Sequence, residues 1–229
     1  SIPAVALIGR FSGELPCASC PAIDYDIEFR PDSTYLEKMV YRDHEGSVFI
    51  RYGSYVSNDK GIIILDKERD RGMNYFDRKN RHVRMLDISG NVIEGELAEK
   101  YILKREKRSP HKKNTIYLKA HGVEPFWALE LFPDKHLIFT SIDETNRKIE
   151  MPLPDISFPE KNDSISYRIE YPEGFVRIRL LAENCSDTMS DILYPIKVFL
   201  HINDDEGDGI YKGCAYIQRE GEALHYYEK

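Results

Sequence analysis

The sequence predicts an all-β protein of two antiparallel domains, and three observations point to it. Tyr and Phe contribute 15 and 10 of the 229 residues against a single Trp, and with the plentiful Ile and Val they favour strands. Short segments of alternating apolar and polar residues recur along the chain, separated by Gly, Pro, Asn, Asp and Ser clusters. One basic run, Lys104–Asn114 (KREKRSPHKKN), interrupts that pattern near the middle of the chain.

The first half reads as strands over Ala6–Leu15, Ile23–Arg30, Thr34–Tyr41, Val48–Val56, Gly61–Leu65, Gly72–Phe76, His82–Asp87 and Lys100–Leu103. Alternation is clearest in Tyr25-Asp26-Ile27-Glu28-Phe29, where apolar side chains take one face and acids the other. Turn formers separate the strands: Pro31-Asp32-Ser33, Asp43-His44-Glu45-Gly46, Ser57 to Gly61, and Ser89-Gly90-Asn91. Strands this close in sequence connect as hairpins, and a meander of about eight loses its exposed edges by closing into a barrel. The second half resumes with Phe126–Phe132, His136–Ile142, Ser164–Tyr171, Phe175–Leu181, Tyr194–Ile202 and Ile210–Ile217. Asp187–Leu193 reads as a short helical turn capped by Asp187. The expected organisation is a β-barrel domain over 1–106, a basic linker over 107–114, and a smaller β-barrel or sandwich over 115–229. The basic run reads as a solvated linker, with contact to anionic lipid headgroups as the sharper alternative.

Composition excludes several classes. With 41% hydrophobic and 31% charged residues the chain is globular rather than disordered. A net charge of −7 argues against nucleic acid as a partner. No run of 18 apolar residues exists to span a bilayer as a helix. Ile2–Ile8 is too short for a signal peptide's apolar region, so the chain reads as a mature form whose signal or lipid-bearing cysteine would lie upstream. Nucleophile-elbow, zinc-protease, phosphate-loop and dinucleotide motifs are all missing, and the His residues are scattered. The chain is therefore expected not to be an enzyme. The acidic stretch Asp204 to Gly209 tests as a calcium loop, but its twelfth position falls on Ala215, so it reads as a polar hairpin turn.

The four cysteines form one pair per half, Cys17 with Cys20 and Cys185 with Cys214, as an oxidising compartment would produce. The Cys-x-x-Cys of Leu15-Pro16-Cys17-Ala18-Ser19-Cys20-Pro21 supports three readings. It is a disulfide closing a short loop, a pair of soft thiolates for Cu(I) or Zn(II), or a redox centre, the last wanting a helical context that this segment lacks.

Phe11 to Cys20, running on into an alternating strand, resembles the opening of the NlpE N-terminal domain, in which a G-x-L-P-C-A-x-C motif precedes a chain of hairpins. Tyr52-Gly53-Ser54-Tyr55, Arg84-Met85-Leu86-Asp87 and Gly90-Asn91 continue the resemblance over roughly residues 6–106. Pro21-Ala22-Ile23 departs from it where family members usually carry a Gly. The resemblance implies a lipocalin-like barrel, lipid-anchored in the bacterial envelope (outer membrane or periplasm). It also implies copper tolerance and surface-stress signalling through an envelope signalling protein, with copper as a candidate ligand of Cys17 and Cys20.

Gly122-Val123-Glu124-Pro125-Phe126-Trp127, Cys185 to Asp191, Tyr194-Pro195 and Gly213-Cys214 resemble a group of small exported bacterial proteins of unassigned activity. Cys185 and Cys214 read as a disulfide, with a soft Cu(I) site that includes Met189 as the alternative. Two functions of different class follow. One is an envelope sensor whose cysteine state reports copper or redox conditions. The other is a lipocalin-like carrier of a small apolar ligand, since an eight-strand barrel holds either packed side chains or one ligand.

Overall fold

The structure, a computed structural model, describes residues 8–42, 47–66, 75–79, 81–106, 116–160, 163–219 and 227–228. The chain divides into two compact units, Ser1–Glu45 with Phe49–Pro110 and Gly46–Val48 with His111–Lys229. Both are antiparallel β structures.

The first unit holds β1 (Gly9–Leu15), β2 (Ile23–Phe29), β3 (Thr34–Tyr41), β4 (Ser47–Ser57), β5 (Ile63–Leu65), β6 (Tyr75–Lys79), β7 (His82–Met85) and β8 (Ile102–Arg105). Its strand order is β4-β3-β2-β1-β8-β7-β6-β5, and β4 also pairs with β5, so the eight strands close into a barrel. The meander expected from the turn spacing is present. In β2, Tyr25, Ile27 and Phe29 point inward while Asp24, Asp26 and Glu28 meet Arg42, Arg10 and Arg30 on the outer surface. The Asn58 turn forms because the Asn58 side-chain oxygen accepts the amides of Lys60 and Ile62, with Gly61 at φ +77°. Asp87 shapes the Ser89–Asn91 turn in the same way. A short 3-10 helix over Ala98–Tyr101 takes the place of the expected start of the last strand. Residues 72–74 of the expected Gly72–Phe76 strand, and most of the basic run, lie outside the described residues.

Side chains fill the barrel. Phe11, Phe29, Tyr55, Phe76, Ile27, Ile63, Leu65, Val83 and Leu103 are all buried in one cluster. Phe29 sits at its centre, edge-on to Tyr55 at 5.1 Å and to Phe76 at 5.9 Å between ring centroids.

The second unit holds β9 (Ile116–Val123), β10 (Phe126–Phe132), β11 (His136–Ile142), β12 (Lys148–Pro152), β13 (Ser164–Tyr171), β14 (Gly174–Leu181), β15 (Cys185–Ser186), β16 (Ile192–Tyr194), β17 (Ile196–Asp204), β18 (Gly207–Arg219) and β19 (Tyr227–Glu228). Eight of them form the order β12-β11-β10-β9-β18-β17-β14-β13, and β15, β16 and β19 form a small separate sheet. Strands β9 and β12 were not expected. The inward positions of β9 include the small Ala120 and Gly122, which weakens its alternation signal, and β12 is only five residues long and ends at Pro152. The expected Tyr194–Ile202 strand is split at Pro195. Asp187–Leu193 is not a helix: Asp187 accepts the amides of Met189 and Ser190 as a cap would, but Thr188 at φ +64° turns the chain into a bend before β16.

Gly53 is where the first barrel is tightest. A Cβ there would lie 2.2 Å from Asp66 Oδ1, in the space through which the neighbouring Tyr35 hydroxyl reaches Asp66 Oδ2 at 2.5 Å. Gly53→Ala is expected to destabilise the first unit by ~1–3 kcal/mol through overpacking and the displaced bond. Urea unfolding would read this, and an unchanged midpoint would contradict the packing described.

Candidate functional site

The Cys17–Cys20 loop joins β1 to β2, and both its ends are pinned by burial. Leu15 and Ala22 are buried, while Ala18, Ser19 and Pro21 are exposed and the two cysteines half-buried. Pro16 and Pro21 remove an amide donor on each side, which keeps the loop out of the strand ladder. The Ala22 carbonyl accepts the amide of Arg42 and anchors the loop's exit. The sulfurs are joined at 2.09 Å, with the Cα atoms 5.3 Å apart. Beside the loop, Glu14 takes ion pairs from Arg42 and Lys100, both at 3.0 Å, and Arg42 also meets Asp24 at 2.6 Å. The bond from Lys100, then the charges of Lys100 and Arg42, hold the Glu14 carboxyl below its ordinary range. Among the described residues no group of three or more His, Cys, Asp and Glu is placed to hold a metal ion. Two thiols are soft donors of the kind that suits Cu(I), and here both sulfurs are held in the bridge.

Behind this loop the barrel carries a polar chain that the sequence reading did not pick out. Glu37, 2% exposed, faces inward from β3. It accepts the Tyr25 hydroxyl on one oxygen and Arg51 Nε on the other at 2.7 Å. Arg51 lies 5.7 Å from the centroid of the Tyr35 ring, whose hydroxyl bonds Asp66. Burial, then the Glu37 charge, pushes the Tyr25 phenol well above its ordinary value, so it donates at any physiological pH. The signal was legible in parity, since Tyr35, Glu37 and Met39 share the inward face of β3.

The second cysteine pair lies in a different environment. Cys185 and Cys214 are joined at 2.00 Å and buried against Tyr194, Ile192 and Tyr216. The bridge straps the β15–β16 hairpin onto β18. Here Gly213 permits close approach: a Cβ on it would lie 1.9 Å from the His121 carbonyl oxygen. Within the strapped hairpin Asp187 gathers the Ser190 hydroxyl at 2.9 Å, the Tyr194 hydroxyl at 3.4 Å and His121 Nε2 at 3.4 Å. Burial alone would raise its carboxyl, but the bonds from Ser190, His121 and Met189 overcome that and hold it at about 2. Met189 is exposed whereas Cys214 is fully buried, which does not fit a site shared by the two. The Asp204–Gly209 stretch is a hairpin turn in which the buried Arg147 guanidinium meets Asp204 at 3.2 Å and the Gly207 carbonyl at 3.1 Å. A protein cation thus stands where a calcium loop would hold its metal.

The family model of the NlpE N-terminal domain matches residues 11–96, from the middle of β1 through the Asp87 turn. Over these residues the first unit is similar to the NlpE N-terminal domain. Lipoprotein NlpE of Escherichia coli (strain K12) is 29% identical over 86 residues, which is 37% of this chain and 36% of that protein. The chain thus matches about a third of that relative's length. A putative lipoprotein from Shewanella oneidensis has a crystal structure 33% identical in sequence, covering 44% of this chain and 89% of that one with a TM-score of 0.40. The crystal structure of the Cpx pathway activator NlpE from Escherichia coli is 16% identical, covers 96% and 95% of the two chains, and has a TM-score of 0.34.

Within the matched residues, the Cys-x-x-Cys motif falls on the loop between β1 and β2, and Tyr52 to Tyr55 falls on β4. The Gly53 of that segment is the residue whose bare Cα admits the Tyr35–Asp66 bond.

Two outcomes are expected of the second unit. Replacing Cys185 and Cys214 together by Ser should lower its stability by ~3 kcal/mol, since a bridge across 29 residues restricts the unfolded chain by about that much. A double variant as stable as the parent, in calorimetry, would refute this. Asp187 has a folded value near 2, below the ordinary carboxylate value of about 4. Its contribution is therefore fully present above pH ~4 and lost as pH falls toward ~2. Acid unfolding of Asp187→Asn should show a shallower loss over that window than the parent protein.

Proposed function

We propose that the chain is an envelope protein of the NlpE type that serves copper tolerance or stress sensing through contacts with an envelope signalling protein, with Cys17 and Cys20 as its switch. The observation that carries this is the position of the pair: a half-exposed bridge in a proline-flanked loop, fixed at both ends and outside every strand ladder. Two envelope thiols, themselves joined into a disulfide, supply the two electrons and two protons that open such a bridge to two thiols, and Cu(I) binding then releases the two protons. In a ring this short the bridge adds only ~2 kcal/mol, so opening it leaves the barrel folded. The packed interior favours a sensor over a carrier of an apolar ligand, because Phe29, Tyr55 and Phe76 occupy the centre where a ligand would sit. No catalytic step is proposed. The anchor is proposed to be a lipid upstream of this sequence, and the domains to meet within the basic run.

Cys17→Ser with Cys20→Ser is expected to keep the melting temperature within a few degrees, since ~2 kcal/mol at most is removed. In cells it should flatten the response of an envelope-stress reporter to copper and to thiol reductants. An unfolded double variant would make the pair a structural staple, and an unchanged copper response would remove its sensing role.

A further inference from the structure

The outer face of the second unit's sheet over β14, β17 and β18 carries a cluster of cations that the fold does not use. Inward residues of β14 and β17, such as Val176, Ile178, Leu200 and Ile202, are buried, so their alternates face out. Across the ladder Arg168 stands opposite Arg177, and Arg177 opposite His201. One step along, Arg179 stands opposite Phe199, and Phe199 opposite Lys212. Arg177, Arg179 and Lys212 are exposed. Their neighbours take the nearby carboxylates: Arg168 pairs with Glu170, Lys197 with Glu183 and His201 with Asp208. Among the described residues Arg177, Arg179 and Lys212 have no carboxylate partner. Two arginines directly opposite on one face destabilise a sheet, and Arg168 is already held by Glu170, so folding gives no reason for Arg177. Apolar side chains stand among these cations: Phe199 is 38% exposed, Ile210 66%, and Phe175 lies under the Arg168 guanidinium at 4.0 Å.

We propose that this face docks on an anionic phospholipid surface. Cations set among exposed aromatic and aliphatic side chains suit a bilayer interface, where the charges meet phosphates and the apolar tips enter the headgroup layer. An acidic peptide fits less well. Strands β14 and β17 are each paired on both sides, so no strand edge is open to a peptide backbone there. Cations spread over three neighbouring strands instead match a surface whose charges are laterally distributed. Tethering by an upstream lipid would raise the effective concentration of the face at the membrane, so that weak individual contacts suffice.

The test uses the purified chain, free of lipid anchor and copper, so its outcome does not depend on the cysteine switch. Vesicles of phosphatidylcholine and phosphatidylglycerol in equal parts should co-sediment with the protein at low salt. Vesicles of phosphatidylcholine alone should not, and high salt should release it. Arg177→Gln with Arg179→Gln should weaken binding by about 25-fold, at about fivefold per cation. Arg177→Lys with Arg179→Lys should bind as the parent does, and Phe199→Ser should weaken binding with the melting temperature unchanged. Circular dichroism on each variant separates loss of binding from loss of fold. The proposal is overturned by failure to bind the anionic vesicles, or by binding that the glutamine pair leaves intact. Retention on poly-glutamate without vesicle binding would also overturn it, in favour of an acidic polypeptide.

Discussion

The pairing of β1 with β8 is the constraint on which the first unit depends. A meander of hairpins leaves its first and last ladder edges with unpaired backbone groups, and an unpaired edge invites aggregation. Phe11 and Ser12 of β1 pair with Arg105 and Lys104 of β8, which joins the first strand of the meander to the last and removes both edges. Closure also decides what can happen inside. Once the ring is shut, inward side chains from all eight strands share one volume, and the aromatic cluster around Phe29 takes up its middle. The polar chain of Tyr25, Glu37, Arg51, Tyr35 and Asp66 survives in that volume because each charge has a partner. Removal of Glu37 or Arg51 alone would strand the other's buried charge at a cost of ~3–5 kcal/mol.

The two disulfides divide along the same line between structure and exposure. Cys185–Cys214 spans 29 positions, is buried, and lies beneath a hairpin whose polar knot at Asp187 includes His121 of β9. Cys17–Cys20 spans three positions in a half-exposed loop whose ends are already held by Leu15 and Ala22. Loop entropy makes the long bridge worth nearly twice the short one. Accessibility runs the other way, so the bridge that costs least to open is also the one a reductant or metal can reach.

Most of the first unit was legible because its strands obey period two. Tyr25 to Phe29, Thr34 to Tyr41 and His82 to Met85 lie on strands as their alternation predicts, and the turns at Asn58 and Asp87 form through the side-chain bonds their composition implies. The second unit was less so. In β9 the inward Ala120 and Gly122 are small because neighbouring strands and Trp127 crowd them, so tertiary packing erased the very contrast that marks a strand. The bend after Asp187 shows the reverse error. Its cap chemistry was read correctly, but a cap bond needs only two amides, and whether a helix follows depends on what the next residues are tied to. Of the candidate site, the spacing of the cysteines was visible, while the ion pairs that flank the loop join residues far apart in sequence, as Lys100 and Glu14 are.

Charge ties these features together. The chain carries a net −7, yet its acids are not spread as a uniform field. In the first unit the outward acids of β2 are met strand by strand by Arg10, Arg30 and Arg42. In the second unit acids gather in the turns, where Asp143 accepts Ser141, Thr145 and Tyr211 and Asp204 meets Arg147. Acids held in such turns act locally, because the Debye length at physiological salt is about 8 Å. A partner approaching the outer face of β14 and β17 therefore meets Arg177 and Arg179 before it meets the net charge of the chain. Total charge governs solubility at long range, and the identity of a partner is settled by the residues left unpaired at short range.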